Sequence, residues 1–244
     1  MGFSRDATTR AVLDDDNLTE AMTGIGMSFA ARANHDANIE DTLIAASEQG
    51  MLHDDLRTLA VLATWLGIHA RMVNADRLVR LVEQHESPRV RAFWAAFSRW
   101  QAKDRRFARL LKMHKGPRID VLSTGTDFQT KRHGEDPRFD GSALRVPANT
   151  LRDRAADVLT PSELARRHHT YRQRIIMGPS YRADMWSVVE NEPELSAADL
   201  ASRTYGSFAT AWQVKRDWAL VAPEVSARKR TPKPTRAPVD RHSP

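Results

Sequence analysis

The feature that most constrains this chain is a succession of short helical segments between residues 178 and 221. The pattern predicts helices over Arg182 to Asn191, Ala197 to Arg203, and Ser207 to about Val221. Serine at the start of the third helix is a typical N-cap, and Thr204-Tyr205-Gly206 predicts a tight turn, since glycine tolerates a positive φ angle. This spacing is typical of a helix-turn-helix, in which the second helix supports a third that lies in the DNA major groove.

The third predicted helix has two sides of different chemistry. Its apolar side chains are expected to face the core: Phe208, Ala211, Trp212, Trp218 and Val221. Thr210, Gln213 and Arg216 recur at a spacing of three and are expected to share the outward side. Glutamine can read adenine, arginine can read guanine, and threonine can meet a thymine methyl group or a phosphate. We therefore expect these three side chains to contact DNA, with Lys215 and Ser207 contacting phosphates.

One other interpretation of this segment stays open, and the winged form of the helix-turn-helix is disfavoured. A plain three-helix module that binds an acidic protein would carry Gln213 and Arg216 on a solvated face, without contacting DNA. A winged helix-turn-helix would need two strands after the third helix, and the residues after 222 are too rich in proline to supply them. The sequence thus predicts a winged-helix-like unit without a clear wing.

Positive charge is concentrated near the C-terminus. The chain carries a formal net charge of +6, which favours polyanionic partners without selecting one. Residues 226–244 contain one acidic residue, Asp240, and six basic ones: Arg228, Lys229, Arg230, Lys233, Arg236 and Arg241. We expect residues 223–244 to form a disordered tail in which Arg228, Lys229 and Arg230 add DNA contacts. A tail that only improves solubility is the alternative.

Short motifs around these helices resemble one bacterial protein group. They are Tyr171-Arg172-Gln173-Arg174, the run from Met177 to Asp184, Leu200-Ala201, and Tyr205-Gly206-Ser207. Over about residues 171–221 the chain resembles helix-turn-helix antitoxins encoded beside nucleotidyltransferase toxins, the type IV abortive-infection antitoxins. The resemblance implies binding of double-stranded DNA, autorepression of transcription and neutralisation of a neighbouring nucleotidyltransferase-type toxin. It assigns DNA contacts to these positions: Ser207, Thr210, Gln213 and Arg216.

The remaining sequence predicts a mainly α protein. Residues 1–36 lack sustained periodicity and are expected to be loosely ordered. Residues 37–159 predict a helical bundle that would supply a homodimer or toxin contact, with helix starts at Asn38, Asp54 or Asp55, Asn74 or Ala75, and Ser87-Pro88. Within it, the strand-like runs 118–122 and 128–131 predict a small β-hairpin or irregular loop.

A linker helix is predicted between the bundle and the helix-turn-helix, so that residues 160–222 form one segment. Thr160 and Glu163 have the spacing of a capping box, which places the helix start at Pro161. Gly178-Pro179 would end the helix at about Met177.

Residue types needed for several chemistries are missing or badly spaced. Cysteine is absent, which excludes thiolate zinc sites and cysteine nucleophiles. His168 and His169 are adjacent and no His-Glu-x-x-His pattern occurs, so no metal site is expected. Gly141-Ser142 lacks the following paired aspartates of a nucleotidyltransferase. We therefore expect no catalytic residue and no cofactor, while an enzyme site assembled from scattered residues stays open.

Two further absences in the sequence bear on where the protein is located. No apolar run approaches the ~18 residues of a membrane span. The first six residues lack the basic and then apolar pattern of a secretory signal. The sequence therefore predicts a cytoplasmic protein without membrane contact.

Overall fold

The computed structural model describes residues 13–222 and is mainly helical, which confirms the mainly α class. Its α-helices are α1 (Asp15–Gly24), α2 (Ile39–Leu52), α3 (Leu56–His69), α4 (Ala75–Gln84), α5 (Pro88–Trp100), α6 (Thr126–His133), α7 (Pro161–Arg167), α8 (His169–Met177), α9 (Tyr181–Asn191), α10 (Ala197–Arg203) and α11 (Phe208–Val221). The described residues also contain 3-10 helices at Ala70–Met72, Arg105–Lys112 and Ala155–Asp157, and strands β1 (Ile119–Asp120) and β2 (Leu144–Arg145). Among the described helices, none combines the length and apolar character that a bilayer span requires.

Helices in the first half of the chain begin where the sequence places capping side chains. The side-chain oxygens of Asn38 and Asp55 accept backbone N–H groups three residues later, at 3.1 and 2.9 Å, and begin α2 and α3. Asn74 caps α4, and Ser87 followed by Pro88 caps α5. Each such cap typically stabilises a helix by about 1 kcal/mol. These predicted starts are confirmed because capping depends on residues only three positions apart.

Two fully buried tryptophans mark the N-terminal core, which α2, α3 and α5 share. Trp65 Nε1 donates to the Ile25 carbonyl at 2.8 Å, and Trp94 Nε1 donates to Ser47 Oγ at 3.0 Å. Both indole N–H groups are therefore hydrogen-bonded although their rings are inaccessible to water. The ring of Trp94 meets that of Phe97 edge-on, with the centroids 5.5 Å apart. Phe93, Trp94 and Phe97 of α5 are thus core residues.

The described part of the N-terminal segment, residues 13–36, packs against this core. Met22 on α1 is buried, and so are Ile25 and Met27 immediately after the helix. Met27 also pairs with Val158 in an isolated antiparallel bridge. The prediction of a loosely ordered segment is therefore wrong over these residues. The apolar groups of the segment meet partners far along the chain, which local periodicity does not reveal.

Residues 118–150 contain a small β element, as predicted, but it is not the hairpin that the sequence offered beside an irregular loop. Strands β1 and β2 pair in parallel, with Ile119 opposite Leu144, whereas a hairpin requires antiparallel neighbours. The second strand-like run, residues 128–131, lies inside helix α6 instead. Arg145 Nε donates to Asp120 Oδ1 at 2.6 Å across the two strands. The pairing is stabilised by side chains distant in sequence, which explains why local strand patterns misplaced it.

The linker predicted as one helix consists of α7 and α8, separated at His168. The Thr160 capping box at the start of α7 is present as predicted. At the break, His168 Nδ1 accepts the N–H of Tyr171 at 3.2 Å, so that the imidazole caps α8. Its Nε2 donates to the Ala37 carbonyl at 3.0 Å. The prediction of one continuous helix is wrong because this buried ring takes the place of a backbone hydrogen bond.

Candidate nucleic-acid interface

Helices α9, α10 and α11, which we call the C-terminal unit, begin at serine caps. Ser180, Ser196 and Ser207 each accept a backbone N–H three residues later. The observed bounds agree with the sequence prediction to within one residue at each helix start. Within the described residues no strand follows α11, which ends at Val221, one position before the last described residue.

A small apolar core joins the helices of the C-terminal unit. It consists of Met185, Val189, Leu200, Ala201, Ala211 and Val214. Trp218 packs against it, and its ring centroid lies 5.7 Å from that of Trp186 on α9. On α11 the side that faces the other two helices is therefore defined by Ala211, Val214 and Trp218, at helical spacings of three and four.

Three apolar residues of α11 that were predicted to be buried are exposed instead. The exposed fractions are 47% for Phe208, 48% for Trp212 and 63% for Val221. The prediction grouped residues by apolar character, but α9 and α10 cover only the side that carries Ala211 and Val214. The Trp212 ring lies outside, with the Arg216 guanidinium carbon 5.2 Å from its centroid. The outward side of α11 is consequently mixed in chemistry, both cationic and aromatic.

Gln213 and Arg216 are exposed on α11, on the outward side. Gln213 Nε2 donates to Asp217 Oδ1 at 2.8 Å. The same carboxylate accepts a hydrogen bond from Arg182 of α9, also at 2.8 Å, and this hydrogen bond lowers the pKa of Asp217. Arg182 is absent from the predicted contacts, because no local sequence pattern links positions on α9 and α11. Asp217 is therefore ionised, and the charge of Arg182 balances its own. It lies beside Gln213 and Arg216, whose side-chain types can read base edges.

Thr210 does not share the outward side with Gln213 and Arg216. It is half-buried, and its hydroxyl lies 2.8 Å from Ser207 Oγ, so both hydroxyls are engaged at the start of α11. An α-helix turns about 100° per residue, so a spacing of three rotates by about 60° at each step. Thr210 and Arg216 are therefore about 120° apart, and the predicted shared face extends only from Gln213 to Arg216.

The remaining predicted DNA contacts are placed differently. Lys215 is half-buried, and its Nζ contacts the carbonyl of Pro193 in the connection between α9 and α10. In this structure Lys215 thus braces the C-terminal unit and does not extend freely from it. Arg228, Lys229 and Arg230 lie outside the described residues, as does the predicted tail.

The turn before α11 has an unusual backbone at Tyr205. The positive φ angle falls on Tyr205, at 56°, and not on Gly206 as the sequence analysis expected. Gly206 has a different role, since a Cβ atom at this position would clash with Met185 Cε. Glycine thus allows the turn to pack closely on α9, and a larger residue would force the end of the Met185 side chain to move. A left-handed tyrosine is uncommon, and its side-chain contacts account for it.

Tyr205 joins the turn to the N-terminal helices. Its hydroxyl donates to Asp41 Oδ2 of α2 at 2.8 Å. The guanidinium carbon of Arg77 on α4 lies 3.5 Å from the centroid of its ring, and Arg77 also pairs with Asp41. Arg77 and Asp41 are both almost fully buried. The turn that precedes α11 is therefore held against α2 and α4 by a charged, desolvated contact.

A second buried ion pair network links the same parts of the molecule. Arg174 of α8 donates to Glu40 of α2 and to Asp184 of α9, each at 2.7 Å. Burial opposes the charge of Arg174, but the two carboxylates outweigh it and raise the pKa of the guanidinium. Burial likewise opposes ionisation of Glu40, but the charge of Arg174 prevails and lowers the pKa of Glu40. Burial raises the pKa of Asp184 even though Arg174 lies beside it. Arg174 and Glu40 are thus charged, and the network fixes α9 against α2 and α8.

Within residues 13–222 no group of three or more histidine, aspartate or glutamate side chains is arranged to hold a metal ion. Comparison of the chain with protein-family models, curated proteins and solved structures finds no match.

Proposed function

We propose that this chain is a sequence-specific DNA-binding regulator of transcription that reads duplex DNA with the outward side of α11. The observation that supports this best is the exposure of Gln213 and Arg216 on a helix braced by two others across a tight turn. Glutamine and arginine are the side chains that pair bidentately with adenine and guanine in the major groove. A recognition helix must present such side chains beyond its supporting helices, and the exposure of Gln213 and Arg216 on α11 meets this requirement.

The C-terminal unit can supply selectivity more readily than affinity. Residues 181–222 contain four basic and six acidic residues, so the unit itself has no excess of positive charge. Base contacts specify a DNA site, whereas phosphate contacts supply much of the binding free energy. The function proposed for α11 therefore requires cationic groups elsewhere in the chain.

The experiment is selection of bound sequences from a random duplex library with the full chain, followed by affinity measurements on the selected site. Gln213→Ala and Arg216→Ala are each expected to reduce the preference for that site about 5- to 150-fold, the equivalent of about 1–3 kcal/mol. Arg172→Ala on α8, which also removes an exposed arginine, is the matched control and is expected to leave the preference unchanged. Unaltered preference in both α11 variants would refute the assignment of the reading side.

A second candidate function is a protein-interaction adaptor, and one observation favours it. Phe208 and Trp212, with exposed fractions of 47% and 48%, lie four positions apart and form an exposed aromatic stripe on α11. Exposed aromatic side chains in one stripe are typical of protein contacts. Under this function Trp212→Ala would abolish partner binding, and the wild-type chain would select no duplex sequence. The same library selection therefore separates the two functions.

The resemblance to antitoxins adds a further proposal about the partner. A nucleotidyltransferase-type toxin encoded next to this chain would be the protein that the exposed stripe of α11 or the N-terminal helices contact. Co-expression with the adjacent gene product tests this directly. Growth arrest relieved by the wild-type chain supports neutralisation, whereas unrelieved arrest counts against it.

A further inference from the structure

Positive charge on the described surface is dense along residues 103–118. This segment contains seven basic residues and one acidic residue, Asp104. All seven basic side chains are exposed: Lys103, Arg105, Arg106, Arg109, Lys112, Lys115 and Arg118. None of these residues belongs to the C-terminal unit, so their charge adds to that of α11.

The 3-10 helix Arg105–Lys112 arranges this charge in rows. A 3-10 helix has three residues per turn and rises about 2 Å per residue, so positions three apart lie above one another with a repeat of roughly 6 Å. One row, Phe107 and Leu110, is buried in the core. The next row carries Arg106, Arg109 and Lys112, and Arg105 begins the third. Because Phe107 and Leu110 are buried, the other two rows face outward. Arg106, Arg109 and Lys112 therefore form a linear array of cations, and Arg105 lies beside it.

Several of these charges have little or no compensation. Arg106 pairs with Asp104 at 2.6 Å, and Arg118 pairs with Glu135. Arg109 approaches Glu83 at 3.3 Å, but both side chains are more than half exposed, and such a pair contributes little. Four others have no carboxylate within 4 Å among residues 13–222: Lys103, Arg105, Lys112 and Lys115.

We propose that the exposed rows of the 3-10 helix, which we call the basic ridge (Arg105, Arg109 and Lys112), bind the phosphate backbone of duplex DNA without regard to sequence. The C-terminal unit has more acidic than basic residues, so the ridge supplies cations that the unit lacks. The choice of DNA as the polyanion rests on the function proposed for α11. A linear cationic array is complementary to a polyanion with regularly spaced phosphates.

Two other partners fit this surface less well. A membrane-binding helix inserts its apolar side into lipid, but here Phe107 and Leu110 are buried within the protein. The centre of a protein interface is depleted of lysine and rich in aromatic residues, whereas Leu111 is the one large apolar side chain exposed on this helix. The chemistry of the basic ridge therefore favours phosphate contacts.

The test compares the full-length triple variant Arg105→Ala, Arg109→Ala, Lys112→Ala with the wild type on selected and scrambled duplexes over a range of salt concentrations. Each phosphate contact contributes about 0.9 to the slope of log affinity against log salt. The variant is expected to reduce the steepness of this slope by about 2–3 and to weaken binding to both duplexes by the same factor. Thermal unfolding verifies that the variant is folded.

A triple variant elsewhere on the surface controls for net charge. Lys131→Ala, Arg132→Ala and Arg167→Ala remove three exposed basic side chains outside the basic ridge, and the salt slope is expected to stay at its wild-type value. Equal slopes for the ridge variant and the wild type would overturn the proposal, even if the preference for the selected duplex persists and supports α11. A reduced slope in a protein that shows no sequence preference would support the ridge and refute α11. Binding to anionic vesicles but not to DNA would overturn both.

Discussion

The N-terminal helices α1 to α8 and the C-terminal unit are stabilised by different kinds of contact. The first region has a continuous apolar core that includes two fully buried tryptophans. The C-terminal unit has a cluster of only six buried apolar residues, and a segment of about 40 residues rarely buries enough surface to be stable alone. Its attachment to the rest of the molecule uses buried charges, through Arg174 and Tyr205. Such contacts are directional, so we infer that they orient α11 as well as hold it.

The largest expected effect comes from removing the central charge of this attachment. Arg174→Met leaves the carboxylates of Glu40 and Asp184 buried without their common partner. Breaking a buried pair in this way typically costs about 3–5 kcal/mol, which urea unfolding would measure. Arg172→Ala, at an exposed position two residues earlier, is expected to change stability by less than about 0.5 kcal/mol. Equal stability of the two variants would show that the network does not support the fold.

Acidification is expected to destabilise the N-terminal helices through two buried histidines. Burial lowers the pKa of both His69 and His168 to about 4. The unfolded chain takes up these protons near pH 6.5, and the folded chain resists until about pH 4. Between these pH values the unfolded state binds more protons than the folded state. The free energy of unfolding therefore keeps its full value above pH 6.5 and decreases as the pH falls towards 4. The loss is up to about 3 kcal/mol per histidine.

The hydrogen bonds of His168 suggest a variant that tests this pH dependence. Its Nδ1 accepts the N–H of Tyr171 and caps α8, so protonation of Nδ1 would remove the cap. In His168→Asn the side-chain oxygen can still accept this hydrogen bond, but it does not titrate. Urea unfolding at pH 7 and pH 5 should show a smaller stability loss for this variant than for the wild type. His53→Asn, at an exposed histidine, should retain the full loss.

A smaller effect is expected from the turn. Tyr205→Phe removes the hydroxyl that donates to the buried carboxylate of Asp41, and hydrogen bonds to charged groups contribute about 1.5–3 kcal/mol. The ring and its contact with Arg77 would remain. Urea unfolding measures the loss in the free energy of unfolding. If the turn has only a structural role, this loss should be the same with and without DNA. If stability does not change, the link between turn and N-terminal helices is weaker than its geometry indicates.

The smallest effect is expected at the outward side of α11. Trp212→Ala removes a ring that is 48% exposed and should change the free energy of unfolding by less than about 0.5 kcal/mol. Trp94→Ala removes a fully buried ring and should cost about 3–5 kcal/mol. Comparison of the two melting curves therefore tests whether Trp212 is free for a partner. A large loss in Trp212→Ala would mean that the ring is needed for folding.

The contrast between helix starts and helix faces shows what sequence patterns could predict. Asn38, Ser196 and Ser207 mark helix starts correctly, because a cap needs one side chain and an amide three residues later. The sides of α11 were predicted less well, since Trp212 is exposed while Val214 is buried. Size and apolar character alone favoured the tryptophan, but the positions of α9 and α10 select the smaller residue. Gln213 and Arg216 were placed on the outward side as predicted.

The amino-acid sequence by itself determined where α2 to α5, α7 and α9 to α11 begin, and it places seven basic residues in 103–118, because these features depend on residues close together in the chain. The tertiary structure decided which sides of those helices are covered, that His168 divides α7 from α8, and that Tyr205 and Arg174 join the C-terminal unit to α2. These features depend on groups up to 164 positions apart in sequence. Burial and desolvated charge pairing arise only when distant segments meet, and no local pattern encodes that meeting.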